Sequence, residues 1–189
     1  MRHVACVDLH WIPLGAGGHS VKYNGRAYEA IKAAMERRPR QALFHAALTV
    51  EVDGESYAIE SAPSPDDDLR SRGAVVTGPV GSKRLGRFRV FRYEVRCWRG
   101  GSIPDLRYAA ATQRVTSDAA KARAVVALVP ATPRLTWGRD ELGTGDMWNS
   151  NSVVAWLLIN AGIETAELRP PGRAPGWPIP ADRTSVQTV

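Results

Sequence analysis

The stretch Leu43–Ala62, "LFHAALTVEVDGESYAIESA", holds two runs of alternating residues around Asp53-Gly54. That dipeptide suits a two-residue hairpin turn, because both central positions of such a turn need positive φ. A turn there sets Val52 opposite Glu55, and counting outward places His45 opposite Ala62 and Glu60 opposite Ala47. Period-two alternation puts Phe44, Ala46, Leu48, Val50, Val52, Tyr57 and Ile59 on one face, which reads as core. The other face carries Ala47, Thr49, Ala58 and Ala62 around His45 and Glu60, which are diagonal neighbours about 7–8 Å apart. One base and one acid among small side chains suit a cleft. The same pattern also suits a solvated sheet face.

Upstream of the hairpin, "HVACVDLHWI" predicts a strand, "GAGG" a loop, "HSVKY" a short strand, and "AYEAIKAAMERR" a helix stopped by Pro39. Downstream, "PSPDDDLRSRG" has the polarity of a loop, and strands are expected in "AVVTGPV", "RFRVFRYEVRCW" and "RYAAATQRV". Ser117 is a suitable N-cap for a helix over "DAAKARAVVALV", closed by Pro130. An ordered loop, "PATPRLTWGRDELGTGD", then leads to the apolar helix in "MWNSNSVVAWLL", which Asp146 is placed to cap. Helices at both ends of an antiparallel meander indicate an α+β fold. One domain over residues 1–168 is expected, followed by a Pro- and Gly-rich tail over 169–189.

At 189 residues, with 44% hydrophobic and 23% charged content, the composition is that of a globular domain. No window approaches the roughly 18 apolar residues of a membrane span, and Asp8, His3 and His10 interrupt what would be a signal-peptide core, so a cytoplasmic location is expected. Cys6 and Cys97 are too few for a disulfide framework or a thiolate zinc site. His3, His10 and His19 have no carboxylate or cysteine at metal-site spacing, and "PLGAGGH" lacks the Lys-Ser/Thr ending of a phosphate loop. No metal and no cofactor are expected. The formal charge of +6 is densest in "SKRLGRFRVFRYEVRCWRG", where arginines interleave with aromatics. That run reads either as a basic aromatic surface or as a strand with a solvated arginine face. No recognisable nucleic-acid motif accompanies it, so nucleic acid is not the expected partner.

Along the last helix, Ser150, Val153, Val154, Leu157 and Ala161 fall at helical spacing, which puts the serine at the N-terminal end of the apolar stripe. Unpaired N–H groups and the helix dipole there favour a developing oxyanion. Ser150 or Asn149 can equally serve as a plain cap.

A histidine on a strand in "FHAALTV", an acid late in the next strand in "YAIES", and a helix beginning "NSNSVVAWL" resemble, in that order, the circularly permuted branch of the NlpC-type papain-like superfamily. That branch includes lecithin:retinol acyltransferase-like proteins. The resemblance runs from about His45 to Ala161 and implies a papain-like α+β fold, with an antiparallel sheet against a nucleophile-bearing helix. It implies His45 as base, Glu60 as its orienting partner and Ser150 in the place of the family's cysteine. A serine is inert unless a base takes its proton as it attacks, so the implied chemistry is that of a Ser-His-Glu triad. The expected activity is an amide or ester hydrolase, or acyltransferase, acting through an acyl-serine on a small-molecule, peptide or lipid substrate. The alternative from another class is a catalytically inactive binding or interaction protein.

Overall fold

The computed structural model describes residues 4–14, 41–63 and 73–177. The expected strand "HSVKY", the expected helix in "AYEAIKAAMERR" and most of the "PSPDDDLRSRG" loop lie outside the described residues. Among those described, six strands form one sheet in the order β4-β5-β3-β2-β1-β6, with every neighbour antiparallel. They are β1 (Cys6–Pro13), β2 (Phe44–Val52), β3 (Glu55–Pro63), β4 (Ala74–Pro79), β5 (Arg92–Arg99) and β6 (Ala111–Thr116). Two helices, α1 (Ala119–Leu128) and α2 (Ser150–Asn160), complete an α+β architecture.

The hairpin has the expected register, Val52↔Glu55 through Leu48↔Ile59. Asp53 and Gly54 take φ of 54° and 81°, the pair of positive values that a type I′ turn demands. Beyond Leu48↔Ile59 the two strands part. β2 stays with β1 as far as Pro13↔Phe44, whereas β3 continues along β5 to Pro63↔Tyr93. This fork positions the start of α2.

Both helices lie on the face that carries Val7, Leu9, Trp11, Leu48, Val50, Ile59 and Val95, and Val125, Val154 and Leu157 close the core over it. Residues 150–158 of α2 are buried without interruption. A helix apolar around its whole circumference belongs inside a domain. α1 is capped by Asp118 rather than Ser117, since the Asp118 carboxylate accepts from the N–H of Ala120 at 2.7 Å and of Lys121 at 3.2 Å. Pro130 sits in the short 3-10 turn that follows α1.

The opposite face is partly covered by the β5–β6 connection, where Ile103, Leu106 and Ala109 pack on Ile12, Ala47 and Ala58. His10 is buried on this face and bridges three strands, its Nδ1 2.9 Å from Thr112 Oγ1 and its Nε2 2.9 Å from Thr49 Oγ1.

The basic run departs from the expected strand over "RFRVFRYEVRCW". β5 begins only at Arg92, and Leu85–Arg87 and Arg89–Phe91 form two short 3-10 turns. Arg92 folds back to hold them, donating from Nε to Gly86 O at 2.6 Å and from Nη2 to Arg87 O at 3.2 Å. Nor is the arginine face of β5 solvated. Arg96 and Glu94 are buried. The tail expected to run over the surface is in part built into the domain. Phe44 N donates to Arg173 O at 2.8 Å, Arg173 N donates to Ala42 O at 2.9 Å, and Trp177 packs edge-on to Trp11 at 5.0 Å.

Candidate functional site

The polar head of α2 is almost wholly spent on hydrogen bonds. Asn149, not Asp146, is the N-cap, and its Oδ1 accepts from Asn151 N at 2.8 Å and Ser152 N at 3.3 Å. Ser152 Oγ accepts from Asn149 N in return, which completes a capping box. Asn151 reaches the fork in the sheet, where its Oδ1 accepts from Ala46 N at 2.7 Å and its Nδ2 donates to Phe44 O at 3.1 Å. Its side-chain amide thereby takes over the pairing that β3 abandons. Asn149 Nδ2 and Asn151 Nδ2 each donate to Pro175 O at 2.8 Å, and Asp146 accepts from Gly176 N at 2.8 Å. A helix entering the core begins on Asn-Ser-Asn-Ser because a buried helix start and a buried strand edge both need polar partners.

His45 and Glu60 do share a face, as the hairpin parity requires. His45 pairs with Ile12 and Glu60 with Arg96, all on the side away from the helices. The two are not paired with each other. The Glu60 carboxylate accepts from Arg96 Nη1 at 2.7 Å, and Arg96 also donates to Glu94. Burial alone would lower the Arg96 pKa, but the hydrogen bonds to Glu94 and Glu60 outweigh it and raise it. His45 is half-buried and makes no hydrogen bond among the described residues. Burial depresses its pKa, opposed only by the charge of Asp105 in the β5–β6 connection.

Ser150 stands on the other side. It heads a helix packed on the Phe44, Ala46 and Leu48 face, whereas the His45 side chain belongs to the opposite face of β2. Among the described residues no hydrogen bond joins Ser150 to His45 or His45 to Glu60.

An open cleft of about 540 Å³ lies elsewhere, lined by Gly81, Ser82, Lys83, Thr136, Arg139, Asp140 and Glu141. Its far wall is the loop before α2, which is zipped to the end of β4 through Trp137 N to Pro79 O at 2.9 Å and Gly81 N to Trp137 O at 2.9 Å. Arg139 staples the same wall by donating to Gly81 O at 2.8 Å, and Tyr93 Oη ties it to the sheet by donating to Leu135 O at 2.9 Å. Burial pushes the Tyr93 phenol up to about 12, so it remains a proton donor. Lys83 faces Glu141 at 3.6 Å, and Thr136 Oγ1 donates to the same carboxylate at 2.8 Å. The Asp140 carboxyl is held below its usual range, chiefly by the Thr144 N–H. The cleft offers paired charges of both signs.

Next to the cleft, the β4–β5 connection exposes Leu85, Phe88, Val90 and Phe91 among Lys83, Arg84, Arg87 and Arg89. Sequence reading saw this composition but mistook its conformation, since no local signal shows that Arg92 turns back. Among the described residues no three His, Cys, Asp or Glu side chains are grouped to hold a metal ion, and no helix is long and apolar enough to cross a membrane. Comparison with protein-family models, with curated proteins and with solved structures returns no match.

Proposed function

We propose that this chain is a non-catalytic interaction protein that engages an anionic partner through the connection between β4 and β5 and the cleft beside it. The observation that carries this reading is the exposure of four large apolar side chains on one short connection, each flanked by a cation. Exposed apolar groups clustered inside a charged rim mark contact surfaces, and Val90 is 75% and Phe88 47% exposed. Among the described residues Ser150 makes no hydrogen bond to His45, nor His45 to Glu60, which supports a binding role over acyl transfer, because a serine attacks only when a base takes its proton.

The test has two arms. Wild-type protein passed over immobilised heparin is expected to be retained at moderate salt, and R87E/R89E is expected to elute earlier while S150A and H45A elute with the wild type. A broad fluorophosphonate reagent is expected to leave Ser150 unmodified. Labelling of Ser150 that disappears in H45A would overturn the reading in favour of a serine hydrolase.

A further inference from the structure

We infer that the anionic partner of the β4–β5 connection is the surface of a lipid bilayer, into which Leu85, Phe88, Val90 and Phe91 insert. This deepens the interaction-protein reading and rests on it. From Val80 to Tyr93 the chain carries Lys83, Arg84, Arg87, Arg89 and Arg92 and no acidic residue, so the segment itself does not oppose an anionic surface. Lys83 has one acidic neighbour, Glu141, across the cleft.

The apolar side chains distinguish lipid from single-stranded nucleic acid. Stacking on bases needs aromatic faces. Leu85 and Val90 have none, and one face of the Phe88 ring is already covered by the Arg87 guanidinium, 4.6 Å from its centroid. Hydrocarbon accepts all four side chains alike, with arginine heads reaching back to the phosphates.

Part of the segment's backbone is paired internally, which lowers the cost of bringing it against a surface less hydrated than bulk water. Leu85 N donates to Ser82 O at 3.1 Å, Phe88 N to Leu85 O at 2.9 Å and Phe91 N to Phe88 O at 3.1 Å. The carbonyls of Gly86 and Arg87 are taken by the Arg92 side chain.

The experiment is co-sedimentation of the full chain with vesicles of phosphatidylcholine alone and with an admixture of phosphatidylglycerol, beside a fluorescent oligo-dT titration. Binding is expected only to the anionic vesicles. R87Q/R89Q should weaken it about thirtyfold, near fivefold per arginine, and F88S/V90S about tenfold. F88S/V90S should keep the wild-type melting temperature, since both side chains are exposed. V90C carrying an environment-sensitive dye should shift to the blue on anionic vesicles. Retention on heparin with no vesicle binding overturns the lipid inference and leaves the interaction reading standing. Oligo-dT binding that F88S/V90S abolishes assigns the surface to nucleic acid instead. Loss of heparin retention as well brings down both.

Discussion

Ala46 and Asn151 are joined by a 2.7 Å hydrogen bond from the strand N–H to the side-chain carbonyl of the helix. It sits where β2 leaves β3, and with the Asn151 Nδ2 bond to Phe44 O it gives the strand edge a two-point partner. The same amide nitrogen holds Pro175 O, so one buried side chain ties a strand, a helix start and the chain near residue 175 together. Ser150, one position earlier, makes no side-chain hydrogen bond among the described residues.

This contrast yields the first prediction. Asn151→Ala leaves the buried Ala46 N–H and the Phe44 carbonyl without this partner and is expected to cost about 2–4 kcal/mol, which lowers the melting temperature by about 5–15 °C for a chain of this size. Ser150→Ala is expected to change stability by less than about 1 kcal/mol. Thermal melts of the two variants decide the matter, and a Ser150→Ala penalty equal to that of Asn151→Ala would mean that the helix start is held differently.

Gly176 provides a second, independent probe of the same junction. Its φ is 79°, and a Cβ there would collide with Ser152 Oγ and lie 2.7 Å from Met147 O and 2.9 Å from Asn149 Oδ1. Two of those three atoms belong to the capping box, so they cannot retreat without loosening α2. Gly176→Ala is expected to destabilise by about 2–4 kcal/mol through strain and lost capping together. A near-neutral urea midpoint would show that this segment packs less closely.

The hairpin turn invites a smaller effect. Gly54 has φ 81°, a left-handed conformation in which any L side chain is strained. Gly54→Ala is expected to cost about 1–2 kcal/mol, while Asp53→Asn, which tolerates the left-handed region equally, should stay within about 0.5 kcal/mol. Chemical denaturation of both variants is the measurement.

The hairpin was legible from sequence because an antiparallel ladder has a strict period of two and Asp53-Gly54 fixes its phase; nothing distant was needed to place His45 and Glu60 on one face. The capture of Glu60 by Arg96 was not legible, since it depends on β5 rather than β4 lying beside β3. The 3-10 turns at 85–91 were hidden for a related reason. Alternating Arg and Phe read as a strand, and only the Arg92 side chain returning to Gly86 and Arg87 ends it. The head of α2 was ambiguous in a deeper sense. Small polar residues at a buried helix start serve capping and catalysis alike, and the choice turns on which face of β2 the helix covers, a long-range property absent from "NSNSVVAWL". Asp105, whose charge acts on His45, lies in a connection whose path the sequence does not reveal.

The last prediction concerns acid. His10, 5% exposed, is held between Thr49 and Thr112, and His45 is half-buried on the same face of the sheet. Burial depresses the pKa of both imidazoles from 6.5, while Asp8 and Asp105 respectively pull the other way. In the unfolded chain both take up protons near 6.5, whereas in the native protein both resist, so below that pH the unfolded state binds more protons. Their stabilising contribution is complete above pH 6.5 and is lost as the pH falls from 6.5 toward the depressed folded values, with a slope of up to about 1.4 kcal/mol per pH unit for each imidazole. The ion pairs Asp8–Arg114, Asp53–Arg123 and Glu55–Arg99 are carboxylate pairs. The Arg123 and Arg99 hydrogen bonds hold the Asp53 and Glu55 carboxyls below their usual range, so the interval from pH 6.5 to 5 reports chiefly on the histidines. Urea midpoints measured from pH 8 to 5 are expected to be flat above 6.5 and to fall below it. His45→Gln should reduce the slope by about half, because it leaves only the His10 imidazole to titrate. A profile that stays flat down to pH 5, or rises, would show that these two rings remain accessible to protons in the folded protein and are not buried as neutral groups.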